Sequence, residues 1–478
     1  MEFDLSKKYC YYFNEISKIP RGSRNEKAIS DYVVLLAKKN GYAWKQDEVY
    51  NVIVEKPASA GYEHSEPVIL QAHMDMVCEK NRDVEHDFEK DPLDLYVDEE
   101  GWLHARGTTL GADDGMGVAY MLAIMDDKDL KHPALQLVFT VMEEIGLYGA
   151  AALKKEDLHA RRYINLDSGG ENQTSVTSSG GARTEITRSL HFTGNRSNTY
   201  CLKVRGLQGG HSASCIRLER GNAILLAGRI AETLNCRFRD LRLADYNGGM
   251  KFNAIPRETD LVFASDADEK QLREETDRIA GQIKEELQYS DAGFRVKLES
   301  VETASKVLSA EDTAEILEFL FVLPNGLRHS SMAIENLTVA SLNAGVVRIE
   351  NDILYLDDLV RSALASHGDE VLHQLQLLCR RYGFGFRIID RYYGWDYAKD
   401  SPLREILRDV LKEKGIEMKE RSTHGGLECG IFKGLIPDLD IITYGPIEIG
   451  EHTPEEKLNL ASFDRAYVNL LEVLKRCK

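Results

Sequence analysis

The sequence predicts an α/β protein with a mostly parallel sheet, interrupted by an inserted α+β domain. Apolar strand-like runs alternate with amphipathic helical ones over the first ~190 residues, the pattern of a sheet covered by crossover helices. From about Thr199 the chain changes to a β-richer order. A length of 478 residues also exceeds what one hydrophobic core usually serves, so two domains are expected.

In order, NVIVEK, PVILQAHMDMV, LQLVFTVMEE and RRYINLDS read as buried strands, while GMGVAYMLAIM and the segment from Asn25 to Lys38 carry helical spacing. Each strand-like run ends in polar residues. Open α/β sheets bind ligands beyond the carboxyl ends of their strands, so a site is sought there. The next segment reads as TYCLKVRGLQGGHS, a helix from Ala223 to Leu234, NAIPRETDLVFAS, a helix from Glu269 to Leu287, and FRVKLESV. With the middle run as a hairpin this is a β-α-β-β-α-β order. LTVASLNAGVVRIEN, ILYLDDLVRSAL, a helix from Glu370 to Tyr382, and GFRIID suggest a partial duplication. Ser401-Pro402 then supplies an N-cap and first helical residue for LREILRDVLKEKG, followed by a strand in LDIITYG and a closing helix from about Ala461 to Arg476. The expected division is residues 1–195 and 396–478 as two parts of one domain, with 196–395 inserted.

A formal charge of −18, from 78 acidic and 60 basic residues, disfavours nucleic acid and anionic membrane surfaces as partners. The N-terminus lacks an apolar core of signal-peptide length, and no run approaches the ~20 apolar residues of a membrane span. A cytoplasmic location is expected. The eight cysteines are scattered without a C-x-x-C pair and read as reduced structural thiols, so any metal must use other ligands.

Chemistry gathers at the strand ends. His73 and Asp75, two apart on a strand, share a face, which suits a metal ligand and a carboxylate fixing its ring. A surface pair at a strand end is the plainer reading. In GTTLGADDGMG, Asp114 suits a helix cap and Asp113 a carboxylate bridging two cations; adjacent acids without a Lys disfavour a phosphate cradle. Glu143 and Glu144 follow a buried strand, where two uncompensated charges are costly unless they are solvated at its end or bound to a cation. With a metal present, one glutamate can ligate and its neighbour act as general base. Asp167 ends RRYINLDS and His452 follows the last strand, each weak alone as a turn residue or a structural histidine. Together His73, Asp113, Glu144, Asp167 and His452 form a mixed N and O donor set suited to zinc.

The motifs AHMDMV, TTLGADDG, VMEEIG, INLDSGG, GGHS, HGGLECG and EHTPEE resemble those of the aminoacyl-histidine dipeptidases, the Xaa-His or carnosine-cleaving branch of the co-catalytic zinc peptidases that include aminoacylases and carboxypeptidase G. The resemblance runs from before His73 to the C-terminus. It implies a zinc-peptidase catalytic domain carrying a lid, and two zinc ions, or cobalt or manganese in their place. Asp113 would bridge them, with His73 and Asp167 completing one site and Glu144 and His452 the other. Glu143 would be the general base, acting on a water activated between the metals, and Asp75 the support of His73. His211 in GGHS would reach the substrate carbonyl, Asn253 in NAIP would contact substrate, and Arg361 in DDLVRSALAS would take its carboxylate. For Arg361 a surface salt bridge is the plainer reading, and for Asn253 a turn. Glu428 would receive the substrate's amino group or serve as a buried structural carboxylate beside Cys429; His424 is left without a role.

The activity so implied is hydrolysis of unblocked dipeptides, including Xaa-His and β-alanyl-histidine. Absence of a G-x-S-x-G elbow disfavours a serine triad. An N-acyl amino acid deacylase or carboxypeptidase would use the same metals with another pocket, and a non-catalytic metal-binding protein is the rival outside enzymes. A small peptide is the expected partner, and the length of the insertion is compatible with a homodimer formed through the lid.

Overall fold

Val68, Leu70 and Ala72 point to one face of the strand Val68–His73, and Ile69, Gln71 and His73 to the other; all six are buried. In the computed structural model, which describes residues 3–478, this strand lies inside a six-stranded sheet. The order is Ala43–Gln46, Val52–Lys56, Leu135–Thr140, Val68–His73, Arg162–Asn165 and Asp440–Thr443. The last four run parallel, Val52–Lys56 is antiparallel to Leu135–Thr140, and Ala43–Gln46 is antiparallel to Val52–Lys56. The mostly parallel sheet read from the sequence is therefore present.

Helices Lys8–Ile16, Lys27–Asn40, Ala112–Met125, Pro402–Glu413 and Leu460–Arg476 share one core with the Val68, Leu70 and Ala72 face. Each fully buried Leu, Val or Phe there contributes roughly 1.5–3 kcal/mol of transfer free energy. The expected cap of Pro402–Glu413 forms: Ser401 Oγ accepts from Arg404 N at 3.1 Å, and Pro402 opens the first turn. This first unit comprises the chain up to Ser178, with Trp395–Ser422 and Leu427–Lys478.

The second unit, Ser179–Gly394 with Thr423–Gly426, is built on a nine-stranded antiparallel sheet. Its order is Arg295–Val301, Asn198–Arg205, Thr259–Ser265, Arg242–Gly248, Thr338–Glu350, Ile353–Ser362, Gly180–Ser189 and Gly385–Tyr392, with Gly326–Ser330 also paired to Thr338–Glu350. Helices Ala223–Phe238, Glu269–Glu286, Ala310–Val322 and Ala365–Arg381 contribute to its core.

Three details differ from the sequence reading. The hairpin partner of Thr259–Ser265 is Arg242–Gly248, whose Asp, Asn and Gly hide its strand character; Ala254–Ile255 pairs instead with Gly210–His211. The run read as a partial duplication continues the same nine-stranded sheet through Gly248 opposite Val347, so among the described residues no separate second module forms. Gly180–Ser189, assigned from sequence to the first domain, pairs on both edges with strands of the second unit, moving the junction to Ser178/Ser179.

Candidate metal centre and substrate-contact residues

At the end of Val68–His73, the His73 ring is buried with Nδ1 3.1 Å from the Asp75 backbone oxygen and 3.4 Å from its Oδ1. Nε2 faces Asp113 Oδ1 at 3.0 Å. Asp75 is buried too, and accepts from Ser23 Oγ at 2.8 Å, Glu143 N at 3.0 Å and Glu144 N at 3.3 Å. One carboxylate thus fixes the His73 ring and the backbone that carries both glutamates. Met142, at φ 53°, turns the chain out of strand Leu135–Thr140 into that cradle.

The Asp113 turn is held from two sides. Asp113 and Asp114 lack helical dihedrals, and regular helix starts at Gly115. Asp114 caps it as expected, accepting from Gly117 N at 3.1 Å, and also accepts from His73 N at 3.3 Å. Glu456, which the sequence reading did not single out, accepts from Leu110 N (2.8 Å) and Gly111 N (2.9 Å) through Oε2, and from Ala112 N (2.7 Å) and Asp113 N (3.3 Å) through Oε1. Arg21, also missed and only 1% exposed, donates to Gly111 O at 2.5 Å, Met74 O at 3.1 Å and Asp75 O at 3.3 Å. A Cβ on Gly111 or Gly115 would meet the Arg21 guanidinium at 2.5 and 2.6 Å, so both positions need glycine.

Donor atoms then converge in sets. His73, Asp113 and Asp167 offer atoms within 4.8 Å of one another, and so do Asp113, Glu144 and His452, and His73, Glu143 and Glu144. Asp113 belongs to two of these: its Oδ2 lies 3.2 Å from His452 Nε2, which is 3.0 Å from Glu144 Oε2. All five donors anticipated from sequence are therefore brought together, along with Glu143.

Whether the residues fit metal ions is answered by charge and by an orphan atom. Burial, with Asp113 nearby, holds the Asp167 carboxyl well above the usual carboxylate range, and burial does the same to Glu143 and Glu448. Asp113 is buried as well, yet hydrogen bonds from His452 and His73 keep it low. The same contacts, to Asp113 and Glu144, push His452 up to about 11. Glu144 Oε1 is buried without a partner. Such an excess of buried carboxylate around two imidazoles fits divalent cations, which would replace the histidine protons and engage the orphan oxygen.

The second unit gathers a different set. His211 pairs with Ala254 in a short strand pair, Ser212 N donates to Asn253 O at 2.9 Å, and the Asn343 amide donates to Phe252 O at 2.9 Å and Ala254 O at 3.0 Å. Arg361, 6% exposed, donates to Ser212 Oγ at 3.4 Å and Tyr392 Oη at 3.3 Å. Among the described residues no carboxylate lies within 4.0 Å of it, so it is not a surface salt bridge. His424, left without a role by the sequence reading, joins this unit through Thr423–Gly426 and places Nε2 2.7 Å from Ser341 Oγ. Burial and the Arg361 charge lower its pKa to about 3, and the same two causes lower that of His211.

Glu428 is the remaining substrate-contact candidate. It is fully buried, with Oε2 accepting from Gln71 Nε2 at 2.5 Å and Thr140 Oγ1 at 2.9 Å on the polar face of the six-stranded sheet. Burial pushes its carboxyl up to about 7. Its Oε1 is buried as well and has no hydrogen-bond partner, so the geometry is compatible with both sequence readings, a structural carboxylate through Oε2 and a contact for the substrate's amino group through Oε1.

The fold, the shared Asp113 and the strand-end donors define a metallopeptidase arrangement, and comparison places it: the chain belongs to the peptidase family M20/M25/M40, whose model matches residues 69–476. It is 36% identical over 477 residues to the cytosol non-specific dipeptidase of Escherichia coli K12, covering 97% of this chain and 96% of the relative. Its structure is similar to that of the aminoacylhistidine dipeptidase from Vibrio alginolyticus, with a TM-score of 0.91 and 33% identity over 98% of this chain and 96% of that one. The aminopeptidase PepT from Bacillus cereus, at 13% identity and a TM-score of 0.57 with full coverage of both chains, shares the fold alone.

Proposed function

We infer that this chain is a metal-dependent dipeptidase using two divalent ions, most simply zinc given the mixed His and carboxylate donors, with cobalt or manganese as substitutes. The observation that carries the reading is the Asp113 carboxylate, one oxygen 3.0 Å from His73 Nε2 and the other 3.2 Å from His452 Nε2. In this assignment Asp113 would be held in common, His73 and Asp167 would complete one ion's ligands, and Glu144 and His452 would complete the other's. When bound, the ions supply polarisation of a carbonyl and acidification of water.

The chain's own groups do the rest. Asp75 holds the His73 proton on Nδ1, leaving the Nε2 lone pair directed at the Asp113 cluster. Glu143, whose carboxyl burial holds well above the usual carboxylate range, takes a proton from the attacking water and returns it to the leaving amine. His211 accepts the Ala213 N–H on Nδ1 at 3.2 Å, so its neutral ring carries the proton on Nε2 and can donate to the developing oxyanion. Arg361, with neutral hydroxyl partners and no carboxylate, is the group for the substrate's C-terminal carboxylate. Asn253 contacts substrate beside His211.

The relatives' names support unblocked dipeptides as the substrate class, Xaa-His among them, and the Escherichia coli relative's name supports a cytosolic location. Among the described residues no helix is long and apolar enough to cross a membrane. A kcat/KM panel of Xaa-His dipeptides, other dipeptides, tripeptides and N-acetylated amino acids tests the substrate class; preference for the N-acetylated compounds overturns it. Sedimentation of the full chain tests the accompanying proposal of a homodimer formed through the second unit.

A further inference from the structure

Outside the M20 donor cluster, a second group of metal-ligating side chains lies wholly within the second unit. His367 stands in the first turn of helix Ala365–Arg381 and Glu370 one turn on, so the two share a helix face. His329 comes to them from strand Gly326–Ser330. The pairing of that strand with Thr338–Glu350 shifts register on both sides of His329, the kind of irregularity that re-aims a side chain. Glu370 Oε2 is 3.3 Å from His329 Nε2 and 3.6 Å from His367 Nδ1, and all three donor atoms lie within 4.8 Å of one another.

We propose that His329, His367 and Glu370 form a site for a borderline divalent cation such as zinc, clamping helix Ala365–Arg381 to strand Gly326–Ser330. The separations have the right scale: zinc bonds of about 2.0–2.1 Å in tetrahedral geometry put neighbouring ligand atoms roughly 3.3–3.4 Å apart. The two imidazole rings stack with centroids 3.8 Å apart and planes 23° apart, so their nitrogens lie side by side within the Glu370 carboxylate's reach. A single cation would take one nitrogen donor from each ring and one carboxylate oxygen from Glu370. One ring must turn out of the stack for both lone pairs to meet one ion, and at exposures of 33–48% the side chains have room to do so and water can complete the coordination.

The site shares no residue with the proposed active centre, so its failure and that of the dipeptidase reading are separable. Chelator-stripped full-length protein is titrated with zinc against a chromophoric chelator, comparing the parent with His329→Ala and Glu370→Gln. The expected result is loss of one zinc equivalent in each variant, with dipeptide turnover unchanged and circular dichroism confirming the fold. A His329→Ala chain that is folded and binds as many equivalents as the parent overturns the proposal. If His329→Ala does not fold, Glu370→Gln decides by the same count.

Discussion

Arg21 and Glu456 hold one turn from opposite sides: Glu456 accepts the N–H groups of residues 110–113, and Arg21 donates to the Gly111 carbonyl and, through Met74 and Asp75, to the end of the His73 strand. The Glu456 carboxylate occupies the backbone nest that elsewhere takes a phosphate. Burial lowers the Arg21 pKa, and the Glu456 charge is the first of the neighbouring charges that offset it. Removing either one leaves its buried backbone partners unsatisfied, which typically costs about 1–3 kcal/mol for each group.

Arg21→Met should therefore lower the melting temperature sharply. Glu456→Gln, which keeps one acceptor oxygen, should fold and instead weaken metal binding by roughly 10–100-fold, the usual effect of removing a ligand's support. Chelator competition measures this; unchanged metal affinity in a folded Glu456→Gln protein contradicts the positioning role.

Glu143→Ala should retain both metals and lose roughly 10²–10⁴-fold in kcat, the usual contribution of a general base. Loss of a metal equivalent in this variant, with turnover preserved by supplying excess metal, would mean that Glu143 and Glu144 have exchanged roles.

Arg361→Met should lower kcat/KM for free dipeptides by about 10–100-fold, since hydrogen bonds to charged groups are worth ~1.5–3 kcal/mol. Dipeptide amides should be poor substrates of the parent and little affected by the change. Equal losses on acids and amides would point to a structural role for Arg361.

What was legible in the sequence follows from how each residue does its work. His73 ends a strand with Asp75 two residues beyond it, and Glu143 and Glu144 follow the end of another, so their position after buried strands exposes them. Glu456 and Arg21 act on backbone groups far along the chain, which leaves no spacing to read. Arg242–Gly248 escaped because it owes its conformation to pairing with Thr259–Ser265 across a bulge after Leu243, against the propensities of its Asp, Asn and Gly. His424 was passed over because only folding brings it to Ser341.

Asp358 gives a pH-dependent prediction. It is fully buried with neither carboxylate oxygen hydrogen-bonded, opposite Thr184, whose hydroxyl also lacks a partner. Burial holds its pKa well above the ordinary value, reinforced by Asp357. The native chain therefore binds a proton that the unfolded chain releases above pH ~4, and stability falls as pH rises from the unfolded towards the folded pKa. Asp358→Asn removes that dependence, so its melting temperature should exceed the parent's by a margin larger at pH 8 than at pH 5. A margin constant with pH would show that Asp358 does not carry the linkage.

The central claim, that Asp113 is shared by two metal ions needed for turnover, is tested most directly by metal reconstitution of the His329→Ala chain, which removes the additional zinc site proposed in the second unit. Stripped protein should be inactive and should recover full dipeptidase activity as two equivalents bind, while Asp113→Ala in the same background should recover none. Full activity at one equivalent or fewer, or an active Asp113→Ala chain, would contradict it.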